Sequence, residues 1–212
     1  MLEPRWRSAL PKILLASYLV IWTALALQPK YREDWALENL LVLVALPLLI
    51  AGHRRLRFSN FACVCLFIFF CLHAIGAHYT YSEVPYDDWA RTLTGHPLGE
   101  LLGWQRNHYD RLVHFAYGVL LAPAAIELLD QRAPQLGLWR WLLPVLFMAS
   151  HSVIYEVVEM TAALVFGGDL GVAYLGTQGD AWDSQKDMAL AMGGALMAVI
   201  WLRAFAPRRP EP

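Results

Sequence analysis

The chain has 212 residues, with 17 Lys and Arg against 18 Asp and Glu and a formal charge of −1. Its apolar share is 58% and its charged share 17%, where soluble domains run near about 45–50% and about 25%. That balance argues against a soluble enzyme, a disordered chain and a nucleic-acid binder, which needs a basic excess; a bilayer can hide the apolar surplus.

A transmembrane helix takes about 20 mostly apolar residues. Six stretches qualify, at about 10–27, 35–52, 58–78, 109–129, 140–166 and 184–205. The fold class is therefore all-α: a polytopic membrane helical bundle in which residues 1–212 make a single integral-membrane domain. Span one follows Arg5, Arg7 and Lys12 and is ended by Gln28-Pro29-Lys30, so it reads as a span and not as a cleaved signal peptide. Cys63, Cys65 and Cys71 all fall in span three, too few for a disulfide framework or a zinc ribbon. Pro47, Pro123 and Pro144 lie within or near the ends of spans, where neighbouring helices tolerate them. The longest connector, about 79–108, is too short for a separate domain.

The positive-inside rule sets the expected orientation. With both termini cytoplasmic, the inner side holds eleven basic residues: Arg5, Arg7, Lys12, Arg54, Arg55, Arg57, Arg132, Arg140, Arg203, Arg208 and Arg209. The outer side holds six: Lys30, Arg32, Arg91, Arg106, Arg111 and Lys186. Both termini are therefore expected in the cytoplasm.

The first half of the chain reads as bland, while the second half puts ionisable groups inside its spans. Each such group costs about 2.5–3.5 kcal/mol at a helix centre on insertion scales, so it needs a partner or a function. Asp110 and His114 stand four apart at the start of span four and share one helical face, which Tyr117 extends. In span five, His151, Tyr155 and Glu159 form one stripe, and Ser152, Glu156 and Glu159 form the next. Two carboxylates a turn apart in low dielectric both ionise only if a cation lies between them; otherwise one keeps its proton. His151 is expected to face the same interior, deeper in the bundle. Before span six, Asp180 can sit in the turn after Gly179, Asp183 can cap the helix, and Asp187 follows on the same face. Gly193 and Gly194 permit close packing against another helix. His73 is the best placed of the remaining histidines, inside span three near its outer end.

Spans four, five and six thus bring these groups to a similar depth at one end. Asp110, His114, Glu156, Glu159, Asp183 and Asp187 are expected to converge as metal ligands, with Glu156, Glu159 and His114 as the catalytic candidates. Carboxylates and an imidazole suit Zn²⁺, Mn²⁺ or Mg²⁺. Such a divalent metal acidifies bound water and leaves a carboxylate as base. The same acids suit a proton or cation relay. The local alternative at each position is structural: a helix-dipole aspartate, a hydrogen-bonded core histidine, a protonated glutamate, a solvated helix start.

The segments Tyr109-Asp110-Arg111-Leu112-Val113-His114-Phe115, Tyr155-Glu156-Val157-Val158-Glu159 and Gly176-Thr177-Gln178-Gly179-Asp180-Ala181-Trp182-Asp183-Ser184-Gln185-Lys186-Asp187-Met188 together resemble the YjdF-like family of bacterial inner-membrane proteins. That resemblance covers most of the chain and implies a multi-pass helical protein of the inner membrane, without an activity. A weaker similarity runs to VanZ-like membrane proteins, which also place an Asp and a His before an aromatic on one helix, acids on the next, and an Asp before a small-residue helix.

The leading expectation is a metal-dependent membrane hydrolase acting on a lipid or lipid-linked substrate, with the bilayer as its surroundings and no nucleic-acid partner. Arg111 beside the acids is expected to orient an anionic head group. The alternatives are an ion- or proton-coupled transporter and a non-catalytic structural membrane protein.

Overall fold

The computed structural model describes residues 9–205 and, at Arg54, the backbone alone. Arg5, Arg7, Arg208 and Arg209, which enter the charge count above, lie outside the described residues. Among those described, the chain is helical and holds no strand. Its helices are α1 (Leu10–Leu27), α2 (Arg32–Leu56), α3 (Asn60–Tyr79), α4 (Tyr86–Thr94), α5 (Leu98–Leu102), α6 (Tyr109–Arg132), α7 (Trp139–Phe166), α8 (Gly168–Leu175) and α9 (Asp183–Phe205), with a 3-10 turn at Tyr81–Glu83. Six of these, α1, α2, α3, α6, α7 and α9, are long and apolar enough to cross a membrane.

Local chemistry fixes the starts. Pro11 sits in the first turn of α1, where its missing N–H costs nothing. Ser59 caps α3, its Oγ accepting from the Ala62 amide at 3.1 Å. Helix α2 begins at Arg32, ahead of its apolar stretch, with Glu33 and Asp34 in a first turn that favours negative charge. The early start places Asp34 and Glu38 one turn apart on α2, 1% and 4% exposed. Pro47, Pro123 and Pro144 lie inside α2, α6 and α7; Pro123 and Pro144 are buried among neighbouring helices, while Pro47 is exposed.

Helix α6 is the hub, packed on α3, α7 and α9, while α1 leans on α3 at the edge. The closest pair is α6 with α9. A Cβ on Gly118 would run into the Ala191 carbonyl, and one on Gly194 into the Phe115 carbonyl. Ala191 and Ala195 complete this small-residue seam. Gly193 faces open space, so Gly194 alone carries the close approach expected of the pair. Facing outward are Leu40, Leu43 and Val44 on α2 and Val153, Ile154, Val157 and Val158 on α7, all exposed as lipid-facing apolar side chains are.

The connector after α3 is more ordered than its Pro and Gly content implies. It folds as the 3-10 turn, α4 and α5, and Asp87 Oδ1 ties the two helices by accepting from the Gly99 amide at 2.8 Å. Trp89 and Leu93 of α4 and Leu98, Leu101 and Leu102 of α5 stay exposed. The second long connector contains α8, which folds back against α7. Both connectors gather at the end of the bundle where α6 and α9 begin and α7 ends.

Candidate functional site

Three side chains meet where α6 starts against α9. One donor atom each from Asp110, His114 and Asp187 lies within 4.8 Å of the others. The one-turn spacing of Asp110 and His114 sets His114 Nε2 3.5 Å from Asp110 Oδ1. From α7, Glu156 Oε1 approaches the same Nε2 at 3.7 Å. His114, Glu156 and Asp187 are 9%, 7% and 2% exposed. Asp187 Oδ1, Glu156 Oε1 and the neighbouring Ser152 Oγ are buried without a hydrogen-bond partner among the described residues. Orphaned buried oxygens are costly, and Glu156 Oε1 is one that faces this imidazole. Ser184, at the start of α9, lies beside the Glu156 carboxyl.

Asp183 goes elsewhere. Its Oδ1 takes Arg106 Nη1 at 2.6 Å and Arg111 Nη2 at 3.3 Å. Charge-assisted bonds of this kind tie the loop before α6 to the first turn of α9. Asp180 closes the turn ahead of α9, where Gln178 and Gly179 both have positive φ (49° and 83°). Its Oδ1 accepts from the Trp182 amide at 3.1 Å, so Asp180 sits in the turn as expected, while α9 begins at Asp183 itself, whose Oδ1 goes to the arginines. Its Oδ2 meets Lys186 Nζ at 2.6 Å and is also bonded by Arg111. Lys186, the Trp182 amide and Arg111 hold the Asp180 carboxyl below the usual range. Arg111 Nη2 is thus given to two aspartates, while its Nε is buried with no hydrogen-bond partner among the described residues. Arg106 further secures this rim by donating to the Thr177 carbonyl at 3.0 Å.

Beside the cluster lies a cramped chamber with room for about one water. Glu38, Tyr81, Asp110, Tyr155, Glu159 and Tyr174 line it. The Tyr155 hydroxyl stands within reach of both Glu38 and Glu159. Glu159 therefore faces this chamber, one turn from Glu156 and next to Asp110. Burial, then the nearby Glu38 charge, pushes the Tyr81 hydroxyl up, and Tyr81 donates it to His73 Nδ1 at 2.5 Å. His73 Nε2 donates to the Glu38 carbonyl at 3.1 Å. A carbonyl oxygen only accepts, so the proton sits on Nε2 and both ring nitrogens are engaged. His73 braces α3 against α2 and offers no free donor to a metal.

His151 departs from expectation. It is exposed on the outer face of α7 and stacks edge-on with Phe147 at 4.3 Å between ring centroids. The stripe of spacing four holds for Tyr155 and Glu159, which line the chamber, and not for His151. The expectation of a bland first half is also corrected: α2 contributes the buried Glu38 to the chamber and Asp34 to a 2.6 Å bond from Thr80 Oγ1. The signal was present as Asp34 and Glu38, two acids four apart opening an apolar run.

Comparison with known proteins places the chain. Residues 10–208 match the family model described as "Predicted membrane protein (DUF2238)". The chain is 34% identical over 197 residues to the inner membrane protein YjdF of Escherichia coli (strain K12), covering 92% of this chain and 89% of that one. No solved structure matches it. With its six long apolar helices and this match over nearly its whole length, the chain belongs to the DUF2238 family of multi-pass membrane proteins.

Proposed function

We propose that Asp110, His114 and Asp187 hold a divalent cation, Zn²⁺, Mn²⁺ or Mg²⁺, in the outer half of the bundle, and that the protein hydrolyses a lipid or lipid-linked substrate there. The observation that carries this reading is the close approach of three donors, one with an orphaned buried oxygen. Donors about 2.1 Å from one ion lie within about 4.2 Å of one another, so the 4.8 Å set needs only a slight contraction. A divalent cation supplies Lewis-acid character and lowers the pKa of a water molecule it binds.

The chain's own groups do the rest. Glu156, 3.7 Å from the imidazole, accepts the proton of the attacking water. The water oxygen bonds to the electrophilic carbon or phosphorus of the ester, the bond to the alcohol oxygen breaks, and that oxygen takes the proton back from Glu156. Expected in this reading is a protein of the bacterial inner membrane with both termini cytoplasmic, as the basic-residue asymmetry and the name of the E. coli relative support. A C-terminal fluorescent fusion should be bright and a C-terminal phosphatase fusion inactive; the reverse pattern overturns the orientation.

The purified protein, incubated with bacterial lipid extract and Mn²⁺ or Zn²⁺, should release an acid and an alcohol detectable by mass spectrometry. Glu156→Gln should abolish release while folded yield stays near normal. Unchanged lipids in the wild type together with cation or proton flux into liposomes would favour a carrier.

A further inference from the structure

We propose that Glu38, Asp110 and Glu159 form a second, all-oxygen divalent-cation site, which shares Asp110 with the cluster of Asp110, His114 and Asp187. This rests on the reading of that cluster as a cation site and deepens it from one ion to two. Three carboxyl groups from three helices line one chamber. Glu38 is 4% exposed, and its Oε2 is buried with no hydrogen-bond partner among the described residues. Asp34 adds a further buried acid one turn before it on α2. None of the ion pairs among the described residues brings a Lys or Arg to Glu38, Asp110 or Glu159; Lys30 goes to Glu83, and Arg106 and Arg111 go to Asp180 and Asp183. Mutual repulsion in so small a space is relieved by protons or by a cation, and the donor set favours the cation. The carboxylates of Glu38, Asp110 and Glu159 are hard oxygen ligands, the kind that Mg²⁺, Ca²⁺ and Mn²⁺ take.

Asp110 links the two sites. Its Oδ1 is 3.5 Å from His114 Nε2, and the same carboxyl lines the chamber. A carboxylate bridging two ions sets them about 3.5–4 Å apart, the spacing of two-metal hydrolases. The first site is mixed nitrogen and oxygen, the second oxygen only, so a softer ion belongs beside His114 and a harder one beside Glu38.

The test is Mn²⁺ binding to the purified full-length protein, measured by equilibrium dialysis and electron paramagnetic resonance. The expected result is two Mn²⁺ per chain with an exchange-coupled spectrum. Glu38→Gln should bind one Mn²⁺ and give an uncoupled spectrum, with the remaining affinity within a few fold of wild type. Where Glu38→Gln yields no folded protein, Glu159→Gln takes its place with the same expectation. One Mn²⁺ in the wild type, or two retained in both variants, overturns the second site and leaves the first standing. Failure of the wild type to bind any Mn²⁺ overturns both.

Discussion

At one end of the bundle Asp34, Glu38, His114, Glu156, Asp183 and Asp187 are turned inward and buried. At the other, Arg55 and Arg57 lie exposed, and Arg140 clamps Asp130 with two bonds of 3.0 and 2.8 Å between partly buried side chains. Both ends belong to the same helices, so the difference is not one of fold. The arginine end uses long side chains that reach water and head groups, as snorkelling residues do. The acidic end uses short side chains fixed to helix backbones, which cannot reach out. Asp183 has two arginines and Asp34 has Thr80 as partners, and His114 stands between Asp110 and Glu156, while Glu38 and Asp187 each keep a buried oxygen with no hydrogen-bond partner among the described residues.

The seam that brings them together is the first way to break the contrast. Gly118→Val puts side-chain carbons into the Ala191 carbonyl. Because backbone and not a flexible side chain is in the way, the cost should reach or exceed about 3 kcal/mol. Monodisperse protein on size exclusion should nearly vanish, whereas Gly193→Ala, which meets open space, should leave it unchanged. Next in size is Glu156→Gln, expected to cut turnover by about 10²–10⁴-fold, the usual worth of a general base. Metal content should persist in that variant.

A smaller effect separates the rim from the interior. The Asp180 carboxyl is held below its usual value in the folded protein by Lys186, the Trp182 amide and Arg111. Its unfolded pKa is about 3.9. Its contribution to stability is therefore complete above that value and is lost as pH falls through the depressed one. Thermal unfolding of Asp180→Asn should show a flatter acid limb below about pH 4 than wild type, with curves running parallel at neutral pH. Smallest of all, Arg55→Ala and Arg57→Ala should stay within about 0.5 kcal/mol of wild type, as exposed side chains with no ion pair among the described residues do.

The six spans were readable from run length and hydropathy, because the bilayer imposes a length that few other environments demand. The spacing of Asp110 and His114 was readable for the same kind of reason: helix periodicity fixes which residues share a face. Periodicity misled at His151, where the inward stripe of α7 is narrow and a residue one turn from Tyr155 already faces lipid. Glu38 was passed over because charges at a span's start look like ordinary head-group contacts. Glu38 is enclosed by the return of α8 and by the 3-10 turn, whose Tyr174 and Tyr81 line its chamber. The double role of Arg111 depended on loop geometry at Thr177–Asp180, which no spacing rule encodes.

The most direct test of the central claim is the metal affinity of the purified chain, titrated with Zn²⁺ and Mn²⁺ after chelator treatment and counted by plasma mass spectrometry. The account predicts stoichiometric binding that weakens at least about 100-fold in His114→Ala, in line with loss of a ligand and not merely of its supporting shell. A wild-type protein that binds neither ion, or a His114→Ala variant that binds as tightly as wild type, would contradict it.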